Sequence, residues 1–168
     1  MAVVLIGVPG AGKSTVGKIL AKKMNLNFID TDTVIEARAN KTISDIFIQD
    51  GEPSFRELEK QVIKESLLDQ DSVISVGGGA LINDQTRDLI SQQECVWLQT
   101  GLAKAVERVG MNRNRPLLLG NVRGQLADLM LAREPFYIEC AKYTVDTDEL
   151  NAEQVAEKID ALIKIEGK

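Results

Sequence analysis

Apolar residues along this chain follow two rhythms. Short runs rich in β-branched residues alternate with longer stretches in which apolar positions recur every three or four residues. The short runs are 2–6 (AVVLI), 26–30 (LNFID), 72–76 (SVISV), 95–99 (CVWLQ) and 143–147 (YTVDT), and they predict five strands. The longer stretches predict helices. In 13–24, Val16, Ile19 and Leu20 share one side. In 52–68, Phe55, Leu58, Val62 and Ser66 form one stripe. From about Ala152, Val155, Ile159, Leu162 and Ile163 form another. Shorter helices are expected over 33–40, over 44–50 with Ser44 as N-cap, over 85–92 and over 102–109. A helical stretch over 125–141 contains Pro135, which is expected to break or bend it. Strands alternating with helices imply a parallel sheet with helices on both faces. Ligands of such sheets bind beyond the C-terminal strand ends.

Between the first strand and the first helix stands GVPGAGKST, residues 7–15. Gly7, Gly10 and Gly12 let the backbone curl and turn its N–H groups inward, and the helix behind them adds partial positive charge. With Lys13 to reach the outer phosphates and Ser14 to offer a hydroxyl to Mg²⁺, the spacing G-x-x-x-x-G-K-S is that of a phosphate-binding loop. A nucleoside triphosphate is therefore the expected ligand of Gly10, Ala11, Gly12, Lys13, Ser14 and Thr15. The second strand ends in Asp30-Thr31-Asp32. If that segment is extended, both carboxylates point the same way, toward the loop, one suited to a metal and one to an acceptor. The plainer alternative is a turn in which Asp32 caps the next helix.

Other residues bear on the acceptor. Arg56 follows Phe55, with Glu59 one turn on. A guanidinium grips a carboxylate bidentately, but on the residues alone an exposed helical Arg–Glu pair is the simpler reading. Gly77, Gly78 and Gly79 close the third strand and would free N–H groups for a close ligand. The guanine-reading N-K-x-D is missing, since Asn40-Lys41 is followed by Thr42-Ile43, and this argues against a regulatory GTPase.

Composition narrows the class further. At 168 residues and 44% hydrophobic content, one globular domain is expected. The net charge of −5 argues against broad binding to nucleic acid or an anionic membrane. The charge is uneven. Residues 104–133 hold six basic side chains (Lys104, Arg108, Arg113, Arg115, Arg123 and Arg133) against Glu107 and Asp128. Part of this segment, about 110–123, lacks periodicity and reads as a mobile lid that closes over phosphates. Histidine is absent, and Cys95 and Cys140 have no metal-type spacing, so they read as thiols of a reducing cytosol. No apolar run approaches the roughly 20 residues of a spanning helix. The apolar N-terminus lacks a cationic leader and reads as a strand, not a signal peptide.

Taken in order, GxPGAGKST, DTD, GExxFRxxE, GGGA, NRPLL and REPFYxxxA resemble the shikimate kinases, over nearly the whole chain. The resemblance implies a three-layer α/β/α fold of the nucleoside monophosphate kinase type around a five-stranded parallel sheet. It implies transfer of the ATP γ-phosphate to the 3-hydroxyl of shikimate by a cytoplasmic enzyme, a monomer using Mg²⁺. In that reading Lys13 and Arg115 neutralise the transferring phosphate. Ser14 and Asp30 hold the metal. Asp32 binds and orients the attacking hydroxyl. Arg56 and Arg133 grip the carboxylate, and Gly78 and Gly79 lend N–H groups. Arg108 stacks on adenine near residues 145–147. The family often carries proline just beyond that point, where this chain has DELNAE. The lid also carries an additional Arg113.

Overall fold

The structure is a computed structural model that describes residues 1–110 and 121–167. Among these residues, five strands form one sheet: β1 (Val3–Ile6), β2 (Asn27–Asp30), β3 (Ser72–Ser75), β4 (Glu94–Gln99) and β5 (Tyr143–Asp146). Their order is β2-β3-β1-β4-β5 and every pairing is parallel. Val3 is in register with Val73 on one side and Glu94 on the other. β1 and β3 are buried at every position, as strands covered on both faces must be.

The helices are α1 (Lys13–Met24), α2 (Thr31–Ala39), α3 (Ile43–Gln49), α4 (Glu52–Ser66), α5 (Asp84–Ser91), α6 (Leu102–Gly110), α7 (Val122–Cys140) and α8 (Ala152–Glu166), with a 3₁₀ turn at Ala80–Ile82. Alternate residues of each strand point to opposite layers. On one face Val4, Ile6, Ile74 and Trp97 pack with Ile63 of α4, Leu126 and Tyr137 of α7. On the other, Val3, Leu5, Val73 and Leu98 pack with Val16 and Leu20 of α1 and Ile159 of α8. A third cluster, Ile35, Ile46, Phe55 and Val62, joins α2, α3 and α4 beside the β2 edge. The chain leaves β1 toward β2 and β3, then returns past β1 to β4. This reversal makes the C-terminal end of β1 the crevice where such sheets bind ligands.

Two local expectations are corrected. Thr42, not Ser44, caps α3, its side chain accepting from the Asp45 N–H at 3.1 Å. Pro135 does not interrupt α7, which runs unbroken across it. Proline deprives the carbonyl four residues earlier of its partner. Here Pro135 is exposed and Leu131 is 75% exposed, so that carbonyl lies on the solvent side of the helix. Of the lid expected at about 110–123, Gly110 belongs to α6, Asn121 caps α7, and Val122 and Arg123 open it. Residues 111–120, including Arg113 and Arg115, lie outside the described residues.

Candidate active site

The phosphate loop leaves β1 with Gly7 at φ 152°, Gly10 at φ 85° and Gly12 at φ 89°. Gly10 meets a second constraint, because a Cβ there would lie 2.8 Å from the Ala105 carbonyl oxygen. The loop is thus clamped against α6 while its other side opens to the cleft. Lys13 is buried, and its Nζ donates to the carbonyls of Gly7 (2.8 Å) and Val8 (3.0 Å). Arg108 of α6 donates from Nη1 to Gly10 O at 3.2 Å and to Thr147 Oγ1 at 3.4 Å. Gly10 through Thr15, Asp30, Asp32, Gly77, Gly78, Arg108 and Thr147 line a cleft of about 460 Å³. Its far end is made by Leu150, Asn151, Ala152 and Val155, which sequence reasoning missed. Their place comes from the N-terminus of α8, which lies beside the loop.

Asp30 and Asp32 do not share one extended segment. Asp30 ends β2 and caps α2, its Oδ1 accepting from the N–H groups of Asp32 (3.0 Å) and Thr33 (3.4 Å). Asp32 therefore sits in the first helical turn, and the cap is Asp30, not Asp32. Aspartate is among the strongest N-caps, which is why the strand gives way here. Buried Thr31 pins the junction by donating to Ser75 O at 3.2 Å. Both carboxylates still line the cleft. The second oxygen of Asp30 accepts from Ser14 Oγ at 2.5 Å. A hydroxyl and a carboxylate side by side suit Mg²⁺, which takes few protein oxygens and completes its octahedron with water and phosphate.

The acceptor end is built on Gly77, Gly78 and Gly79. None of the three takes a positive φ. What they supply is room. A Cβ on Gly77 would lie 2.9 Å from Glu59 Oε2 and 3.1 Å from Asp32 Oδ1. On Gly78 it would lie 3.2 Å from Arg133 Nη1, and on Gly79 2.6 Å from Arg56 Nη2. The glycine turn is thus a floor on which two carboxylates and two guanidiniums rest. Arg56 Nη1 donates to Glu59 Oε1 at 2.9 Å, and the exposed Glu52 lies 3.4 Å from the same guanidinium. Glu59 is only 3% exposed, so the exposed-pair reading of Arg56 and Glu59 fails. Burial pushes the Glu59 carboxyl above its usual range. Arg56 pulls it back, the negative Asp32 raises it further, and Arg133 lowers it. Arg133 is buried too. Burial lowers its guanidinium pKa, and the positive Arg56 lowers it again, against Tyr137 and Glu59. A carboxylate entering between the two guanidiniums relieves their mutual repulsion.

Of the four described cations over 104–133, the structure brings Arg108 and Arg133 to the site. Arg123 is exposed on α7, and Lys104 faces Glu107 on the surface. Sequence reasoning also missed Tyr137, one turn after Arg133. Its hydroxyl donates to Gly78 O at 2.9 Å.

Comparison with known proteins identifies the family and the fold. A family model described as shikimate kinase matches residues 9–164. A shikimate kinase of Thermobifida fusca is 48% identical over 156 residues, covering 93% of this chain and 91% of that protein. A solved shikimate kinase of Acinetobacter baumannii in complex with shikimate superposes with a TM-score of 0.95 at 36% identity, covering 98% of this chain and 93% of that one. The deoxyadenosine kinase of M. mycoides with bound dCTP is similar at a TM-score of 0.66 and 15% identity, covering 98% of this chain and 100% of that one, a likeness of fold alone.

Proposed function

Since the chain belongs to the shikimate kinase family, we propose that its cleft transfers the γ-phosphate of ATP to the 3-hydroxyl of shikimate. The products are shikimate 3-phosphate and ADP, on the route to chorismate and the aromatic amino acids. The observation that carries this reading is the glycine floor: Asp32, Glu59, Arg133 and Arg56 all rest against it, Gly77, Gly78 and Asp32 line the phosphate-loop cleft, and Gly79, Arg56 and Glu59 line a second pocket.

Phosphoryl transfer passes through a loose transition state, so the protein's work is positioning and charge neutralisation. The loop N–H groups and Lys13 hold the phosphates, and Arg115 is assigned to the γ-phosphate with Lys13. Arg108 and Thr147 border the base. Arg56 and Arg133 take the carboxylate of shikimate, one from α4 and one from α7, with N–H groups of Gly78 and Gly79 beside it. Two anchors at the carboxylate fix the ring and turn its hydroxyl toward the cleft. Asp32 accepts a hydrogen bond from that hydroxyl and orients it. The hydroxyl oxygen then bonds to the γ-phosphorus as the β–γ bridge breaks, and its proton passes to Asp32. Ser14 and Asp30 would hold Mg²⁺, which supplies charge neutralisation at the phosphates when bound. The same reading takes the enzyme as a cytoplasmic monomer with no nucleic-acid or membrane partner. The net charge of −5 supports it, and among the described residues no helix is long and apolar enough to cross a membrane.

Coupled ADP release, measured with ATP, Mg²⁺ and either shikimate, gluconate, AMP or no acceptor, tests the assignment. Turnover is expected with shikimate alone. Equal background rates in every tube overturn it, and turnover with gluconate or AMP instead reassigns the acceptor.

A further inference from the structure

Tyr137 is one of the largest fully buried side chains of the protein, at 2% exposure. A core tyrosine needs a partner for its hydroxyl. This one finds it at the acceptor end, where it donates to Gly78 O at 2.9 Å. The positive Arg133 guanidinium, one turn back on α7, lies near enough to act on the phenol electrostatically. Arg133 Nη1 also borders Gly78 directly, at 3.2 Å from where a Cβ would stand. The ring is held by Trp97, whose centroid lies 5.7 Å away, and that tryptophan belongs to β4 in the centre of the core. Burial pushes the hydroxyl pKa up to about 12, so it keeps its proton across the working range.

We propose that Tyr137 is a positioning residue for the acceptor carboxylate, acting through Arg133 and locking α7 to the glycine turn. The proposal rests on the reading that Arg133 grips that carboxylate. An arginine side chain has many rotamers, and holding its fork in one of them costs entropy at binding. The Tyr137–Gly78 bond fixes the helix that carries Arg133 beforehand, in the free enzyme. It also keeps the Gly78 carbonyl satisfied, so that the turn does not shift when the acid arrives. Tyr137 does not line the phosphate-loop cleft.

The test compares wild type, Tyr137→Phe, Arg133→Gln and the double variant by steady-state kinetics. Tyr137→Phe is expected to raise the KM for shikimate about fivefold, the worth of one neutral buried hydrogen bond. The KM for ATP should stay within about twofold, the scatter of a surface-level change. Arg133→Gln should raise the shikimate KM further, and the double variant should be no worse than Arg133→Gln, since the two residues act as one unit. If Arg133→Gln leaves the shikimate KM unchanged, the role of Arg133 itself is wrong. If Arg133→Gln raises it and Tyr137→Phe does not, or if Tyr137→Phe raises both KM values alike, the positioning role is wrong and Tyr137 is only core. A measurement on the unmutated sequence guards against a variant that fails to fold. The chain has two tyrosines, so fluorine NMR of 3-fluorotyrosine-labelled enzyme separates Tyr137 from Tyr143. Saturating shikimate should shift the Tyr137 signal and leave Tyr143 in place. An unmoved Tyr137 signal overturns the proposal.

Discussion

Glu59 is a carboxylate placed where water hardly reaches, between two guanidiniums and a second carboxylate. Its pKa lies above the ordinary carboxylate value because burial outweighs the pull of Arg56. A group that binds its proton more tightly in the folded chain stabilises the fold below its unfolded pKa, and that stability is lost as pH rises through the folded value. Urea unfolding of wild type and Glu59→Gln, followed across a pH series from the carboxylate range to neutrality, should therefore diverge. Wild type should lose stability relative to the variant as pH rises, and the difference should level off above the raised pKa. A pH-independent difference would contradict the burial of an ionising Glu59. The spacing of Arg56 and Glu59 showed that they could pair. It did not show that the pair was buried, because burial comes from the elements packed around it.

At the scale of elements, the turn after β3 has the most exacting geometry at the acceptor end. Gly79 has φ −102° and ψ 4°, which alanine adopts without strain. Its methyl group would nevertheless fall 2.6 to 2.9 Å from three atoms of the Arg56 guanidinium. Gly79→Ala should thus leave the backbone stable and displace Arg56. A shift of this size in a substrate clamp is expected to raise the shikimate KM by about tenfold or more. The urea midpoint should stay level or rise slightly, since removing a glycine restricts the unfolded chain. A normal KM in a stable Gly79→Ala protein would remove Arg56 from the site. The three glycines were legible as a sign of close approach. That the approaching groups include the protein's own side chains was not, since those side chains arrive from α2, α4 and α7. The strand-to-helix junction at Asp30 shows a related limit. Asp32 was the cap offered by the sequence, and the hydrogen bonds of the folded junction gave that place to Asp30.

For the whole molecule, the cleft joins α1, α6 and α8 around the end of β1, so a bound nucleotide ties together elements distant in the chain. Saturation with ATP and Mg²⁺ at about a hundred times the dissociation constant should add about 2.7 kcal/mol of stability. For a chain of this size, that is a rise in Tm of about 5–10 °C. Differential scanning calorimetry of wild type and Lys13→Ala checks it, and an equal rise in both would deny Lys13 its hold on the phosphates. The alternation of apolar runs determined the parallel α/β architecture, and the glycine-lysine-serine spacing determined the phosphate loop, because both depend on residues adjacent in sequence whose geometry is set by backbone sterics and hydrogen bonding. Motif order alone was enough to point to the family. Only the tertiary structure decided that Glu59 is buried, that Pro135 leaves α7 whole, and that Tyr137 reaches across to Gly78. Each of these depends on how a helix packs against the sheet, and that packing is set jointly by side chains far apart along the chain.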